Sequence, residues 1–211
     1  MTLLVTKAGV DKNIAVTAED QSANYPEAWF PKVNDPNPKP QVIPTIQEWY
    51  GYEGNFVLTE NSRIVINDAA DVGLAKAAAV MQENLKEITG LTLPITEGTE
   101  GAIYIESLTD PERYDLGDEG YLMVTDGDGI QIYAPTYTGC VYGTVTVEQM
   151  LWMAEDHVSV PAGIMRDYPA YDVRGLKLDI ARTPYRYQQL VDYAKIMRWY
   201  KMNEYDLHIN D

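Results

Sequence analysis

The last forty residues set the tightest limit on what this chain can fold into. Val173 to Ile180 and Glu204 to Ile209 have the composition of strands, and Arg186 to Tyr200 between them puts Leu190, Ala194, Met197 and Tyr200 on one helical stripe. A strand, a helix and a second strand in that order form a βαβ unit with a crossover helix. One right-handed βαβ unit cannot cover its own strands, so it must belong to a larger sheet or barrel. The sequence ends at Asp211, just past the second strand, and is therefore expected to be part of a longer protein.

The preceding residues follow other patterns. Pro36, Pro38, Pro40 and Pro44 crowd Asn34 to Pro44 and favour extended backbone, so residues 1–43 read as a lead-in or the tail of an upstream region. Short strands are expected there at Val5 and at Ile14 to Val16. Residues 44–167 read as a small α+β domain, one sheet with two helices packed against it. Its strands fall at Arg63 to Ile66, Leu93 to Thr96, Ala102 to Glu106, Tyr121 to Thr125 and Ile130 to Ala134. Leu74, Ala78, Met81, Leu85 and Ile88 mark the first helix, with Asn67 and Asp68 as candidate caps and Gly90-Leu91 as a Schellman ending. Gly139 to Met153 is the second, with Val141, Val145, Glu148 or Gln149, and Trp152 along one face. Asp126-Gly127-Asp128-Gly129 is rich in residues that tolerate positive φ and reads as a hairpin turn. Residues 168–211 form the third segment.

Charge separates these segments. The chain carries −16 overall: net −4 over residues 1–60, −13 over 61–168 and +1 over 169–211. Such a balance repels phosphate backbones and anionic lipid, so neither nucleic acid nor a membrane is expected as a partner, and a neutral substrate fits better. No apolar run is long enough to cross a bilayer, and Met1 to Asp20 lacks the plan of a signal peptide. Walker, G-x-G-x-x-G, G-x-S-x-G and H-E-x-x-H signatures are missing, and no cofactor or metal is expected. Asp126 to Gly129 superficially resembles a calcium loop, but Tyr137 stands where the bidentate Glu belongs. The lone Cys140 sits in an apolar helical pattern and reads as a buried, inert thiol.

Arg174 lies in the first strand of the βαβ unit and Asp211 just beyond the second. In β/α barrels, the C-terminal ends of strands collect catalytic and binding side chains. Two readings stay open: a guanidinium and a carboxylate that hold sugar hydroxyls by charge-assisted hydrogen bonds, or a structural Arg–Asp pair. Sixteen tyrosines, against two phenylalanines, permit sugar stacking without locating it.

An ordered series of motifs then matches a known family. Arg174-Gly-Leu-Lys-Leu-Asp179-Ile-Ala-Arg182, Trp199-Tyr-Lys-Met-Asn203 and His208-Ile-Asn-Asp211 resemble the opening of the catalytic (β/α)8 barrel in family 20 glycoside hydrolases. These are the β-N-acetylhexosaminidases and lacto-N-biosidases. Ile43-Pro-Thr-Ile-Gln47, Glu119-Gly-Tyr121, Gly139-Cys-Val-Tyr-Gly143 and Pro161 to Pro169 resemble the domain that precedes that barrel and its join to it. The resemblance implies the first βαβ unit of a barrel on which the N-terminal domain packs, and a parent that hydrolyses terminal β-linked N-acetylhexosamine glycans, or releases lacto-N-biose.

It also implies retaining chemistry without an enzymic nucleophile. The substrate's 2-acetamido oxygen attacks, helped by an Asp–Glu pair lying later in the barrel, so the fragment itself is expected to be inactive. Carried over position by position, Arg174 and Asp211 bind the terminal sugar, while His208 and Asp179 support them. For Asp179 and Arg182 a structural role around the strand end is at least as fitting. Asn210, where many members have an acid, and the Ile-Asn-Asp ending are closer to lacto-N-biosidase-like bacterial members. A competing reading makes the N-terminal domain a non-catalytic carbohydrate-binding or support module. The family's habits and the proline-rich lead-in point to an extracellular or cell-surface setting.

Overall fold

The computed structural model describes residues 36–108 and 116–210, together with the backbone of Leu4–Lys7 (β1) and Val10–Asn13 (β2), an antiparallel pair. Ile14 to Val16 and Asp211 lie outside the described residues. The chain divides into two compact units, residues 1–168 and 169–211.

The first unit is built on a seven-stranded sheet. Its elements run Glu48–Val57 (β3), Ile64–Ile66 (β4), Val72–Thr89 (α1), Ile95–Glu97 (β5), Ile103–Ser107 (β6), Tyr121–Asp126 (β7), Gly129–Ala134 (β8), Tyr137–Met153 (α2) and Ser159–Asp167 (β9). Strand order is β3-β9-β7-β8-β6-β4-β5. The β5, β4, β6 and β8 pairings are parallel, and those of β8, β7, β9 and β3 antiparallel. Ile64, Ile66, Ile103, Ile105, Ile130 and Ile132 share a buried cluster with Leu74, Met81 and Leu85 of α1 and with Cys140, Val147 and Leu151 of α2. Val65, Tyr104, Leu122, Val124, Tyr133 and Ile164, of opposite strand parity, form a second cluster.

Local chemistry fixes the helix ends. Asp71 caps α1, its carboxylate accepting from the Leu74 amide at 3.0 Å. Asn67 and Asp68, the expected caps, are occupied elsewhere: Asn67 accepts from the Ser107 amide and Asp68 from the Ala70 amide. Gly90, at φ 76°, donates to the Lys86 carbonyl, while the Leu91 amide goes to the Thr89 hydroxyl. That is the single-bond αL ending rather than the Schellman pair. Thr136 caps α2. The expected face of that helix dissolves, because α2 is buried over most of Gly139 to Leu151 while Trp152 is exposed.

Three expectations change. The stretch read as lead-in is bound to the sheet unit from Asn37 onward: the Asn37 amide donates to the Tyr52 carbonyl, Val42 is buried, and Ile43 exchanges two backbone bonds with the Gln149 side chain. Strands β3 and β9 add two members to the sheet, and β9 occupies most of the stretch read as a join. Gly163 of β9 is required by contact, since a Cβ there would lie 2.4 Å from the Trp49 ring. Finally, the β7–β8 hairpin uses no left-handed residue in its Gly127-Asp128 loop. The Asp126 carboxylate holds the loop by accepting from the amides of Asp128 and Gly129.

The second unit contains Gly175–Asp179 (β10), Tyr187–Trp199 (α3) and Glu204–His208 (β11), with β10 and β11 parallel. Among its described residues only Met197 and Lys201 are buried, and Val173, Ile196 and Ile209 are exposed.

Met81 is fully buried while Val80 beside it is 37% exposed. Met81→Ala should cost about 2–5 kcal/mol in urea unfolding, against about 0.5 kcal/mol for Val80→Ala. Amides of β10, α3 and β11 should exchange faster than those of β6 to β8, and the uncovered apolar side chains should promote self-association visible in sedimentation.

Candidate functional site

In the second unit the two strand ends carry different chemistry. At the C-terminal end Asp179 stands in register with His208. Asp179 Oδ1 accepts from the amides of Ala181 (3.2 Å) and Arg182 (3.1 Å), bending the chain away from the strand. The Arg182 guanidinium returns to within 3.6 Å of Asp179 Oδ2. The His208 carbonyl accepts from Ile180 and Ala181 at 3.0 and 3.2 Å. A carboxylate, a guanidinium and an imidazole-bearing residue thus gather at one strand end, with Arg182 and Asp179 side chains 73% and 40% exposed. Such groups can donate to and accept from sugar hydroxyls.

Arg174 lies at the other end, immediately before β10. Its Nε donates to the Lys201 carbonyl at 2.8 Å and its Nη1 to the Tyr171 carbonyl at 2.7 Å. Its amide donates to Asn203 Oδ1, and Asn203 Nδ2 donates to the Asp172 carbonyl. The structure therefore brings Asp179 and His208 together and leaves Arg174 apart from them, by the five-residue length of β10. The expected partner, Asp211, lies outside the described residues. Asn203 and Lys201 escaped sequence reading as partners of Arg174, although the Trp199 to Asn203 motif contained both. Midway along the pair, exposed Lys177 reaches Asp206 at 2.9 Å, and that hydrogen bond raises its pKa.

The sheet unit has its own polar cluster. The Tyr121 hydroxyl donates to Asp167 Oδ2 at 2.7 Å and lies 2.6 Å from Thr146 Oγ1; Asp167 Oδ1 accepts from the Gln47 amide. Beside it the Arg166 guanidinium pairs with buried Glu48 and sits 5.1 Å over the Tyr168 ring. Burial first, then the Asp167 carboxylate, hold the Tyr121 phenol well above its ordinary pKa. Burial likewise pushes the Cys140 thiol up to about 12, in keeping with an inert thiol. These groups pair with one another, though Glu48 Oε2 is buried without a hydrogen-bond partner, and they build a lock rather than a reaction site.

A family model described as "Glycosyl hydrolase family 20, domain 2" matches residues 39–168. The chain belongs to glycosyl hydrolase family 20. The model for the family 20 catalytic domain matches residues 171–211, which contain Arg174, Asp179, Arg182 and His208. A lacto-N-biosidase of Bifidobacterium bifidum is 30% identical over 165 residues, covering 78% of this chain and 14% of that protein. A beta-N-acetylhexosaminidase of Cellulomonas fimi is 28% identical over 157 residues, covering 74% and 31%. Among solved structures, the Streptomyces plicatus N-acetyl-beta-hexosaminidase in complex with Thio-NAglucal superposes with a TM-score of 0.74 at 25% identity, covering 84% of this chain and 36% of that one. The chain therefore spans 14% and 31% of these two curated relatives.

Tyr121→Phe removes the hydroxyl shared by Thr146 and Asp167 and should cost about 1–3 kcal/mol at pH 8. Because the folded phenol has a raised pKa, its contribution is complete below the unfolded value of about 10 and is lost as pH climbs above it. Urea unfolding between pH 9 and 11.5 should show stability falling, and falling less steeply in Tyr121→Phe. Tyr52 and Tyr104, also raised chiefly by burial, should keep part of the decline.

Proposed function

We propose that the polypeptide containing these residues is a glycoside hydrolase that removes terminal β-linked N-acetylhexosamine, or lacto-N-biose, from glycans by substrate-assisted retaining catalysis. One observation carries the reading: the catalytic-domain match coincides with a parallel strand pair that gathers Asp179, Arg182 and His208 at one end. In this reading β10-α3-β11 is the first unit of a (β/α)8 barrel. Half-buried Leu176, Leu178 and Leu207 and exposed Ile196 are the side chains that further barrel elements would cover. The C-terminal strand end faces the sugar. Arg182 donates to its hydroxyls, Asp179 orients that guanidinium, His208 supports the strand end, and Asp211 contributes a further sugar-binding carboxylate. The acid and the amide-orienting carboxylate come from elsewhere in the barrel, so residues 1–211 alone bind without turnover.

The sheet unit serves in this reading as a support packed on the barrel. Among its described residues the exposed aromatics are Tyr137 and Trp152, at opposite ends of α2, which does not make the row of rings that a glycan-binding face needs. The glycan substrate supports an extracellular or cell-surface setting, checked by fractionating the source cells.

Assay of the natural polypeptide on aryl N-acetyl-β-glucosaminide and aryl lacto-N-bioside should release the aryl group from one of them, with the β-anomer formed first by NMR. Arg182→Ala should lower kcat/KM by between about tenfold and about 150-fold, the value of a hydrogen bond to a charged donor. No turnover on either substrate, or an unchanged kcat/KM in Arg182→Ala, refutes the corresponding part of the reading.

A further inference from the structure

We propose that Arg174 is a positioning residue: by clamping the turn between α3 and β11 to the start of β10, it sets the register that holds Asp179 opposite His208 at the far end. The proposal rests on reading that far end as the sugar-facing one. Two parallel strands are usually aligned by the apolar surface they bury, and a slip of one residue reverses which face each side chain takes. Here that constraint is weak, because Leu176, Leu178 and Leu207 are only half buried, and Met197 and Lys201 are the buried residues of the unit's described part.

Polar bonds replace it. The Arg174 guanidinium spans two chain segments, taking the Lys201 carbonyl at 2.8 Å and the Tyr171 carbonyl at 2.7 Å. Lys201 presents that carbonyl from a left-handed conformation, φ 54°, fixed where the helix ends, and the next amide, Met202, returns to the Met197 carbonyl at 2.8 Å. Asn203, immediately before β11, completes the clamp: its side chain accepts from the Arg174 amide and donates to the Asp172 carbonyl, and its own amide donates to the Arg174 carbonyl at 2.9 Å. A planar fork reaching two fixed carbonyls defines an alignment that a single ammonium cannot. At the opposite end, the amides of Ile180 and Ala181 donate to the His208 carbonyl, so they report the register where the site lies.

The test is amide exchange by NMR on the 211-residue chain, with no sugar present, so its failure is separate from failure of the hydrolase reading. Ile180 and Ala181 should be protected in the parent chain. In Arg174→Gln their exchange should accelerate by about tenfold or more, with amides of β7 and β8 unchanged, and Arg174→Lys should fall between. A covalent pin should then rescue the loss. A Cβ added at Gly175 lies 3.2 Å from the Glu204 Cβ, so a shift of a few tenths of an ångström brings the pair to disulfide spacing, and Cys140 is buried and does not compete. Oxidised Gly175→Cys/Glu204→Cys in the Arg174→Gln background should restore protection at Ile180 and Ala181, and reduction should abolish it. Unprotected Ile180 and Ala181 in the parent, unchanged exchange in Arg174→Gln, or acceleration that the oxidised pair leaves in place each overturns the proposal. So does weakened N-acetylglucosamine binding with exchange unchanged, which is the signature of a sugar ligand.

Discussion

Strand β9 is the element on which the first unit depends. It pairs with β7 on one side and β3 on the other, so it joins the chain's earlier strand to the hairpin at the middle of the sheet. Its last residues carry the lock: Arg166 binds buried Glu48 of β3, and Asp167 binds Tyr121 of β7 and the Gln47 amide. Two buried carboxylates side by side in a strongly acidic protein are costly unless each has donors. Arg166 and the Tyr121 hydroxyl supply them. Buried groups of this kind, with Glu48 Oε2 left without a hydrogen bond, fix alignment more than they add net stability, since burying charge offsets much of the gain.

Elements with a single dominant signal were legible from the sequence. Helix α1 shows its apolar spacing plainly, and β6, β7 and β8 are short apolar runs between turn residues. Strands β3 and β9 were not legible because each is interrupted by residues that usually argue against a strand. β3 contains Gly51 and Gly54 and a register shift between Gly51 and Asn55. β9 contains Pro161 and Gly163, yet Pro161 precedes the Gly163-to-Asp167 stretch that pairs with β7, so its missing N–H falls where β9 borders β3 only. Asn37 and Val42 were hidden among prolines, whose extended backbone fits packing along a sheet as well as it fits a linker.

The second unit reverses that balance. Its βαβ order was readable, but which strand end each family motif residue occupies was not. Arg174 and Arg182 flank the same strand at opposite ends, and their bonding differs accordingly. One reaches two backbone carbonyls, while the other returns to a half-exposed carboxylate. Composition and motif spacing treat the two arginines alike, and the described partners of each guanidinium are what tell them apart.

The lone thiol has a use beyond packing. Cys140 is enclosed between α2 and the sheet, with no other cysteine in the chain. A thiol-reactive dye can reach it only when that helix lifts. Labelling kinetics on the unmodified chain therefore time the breathing of the helical layer, giving the molecule an intrinsic stopwatch that needs no engineered probe.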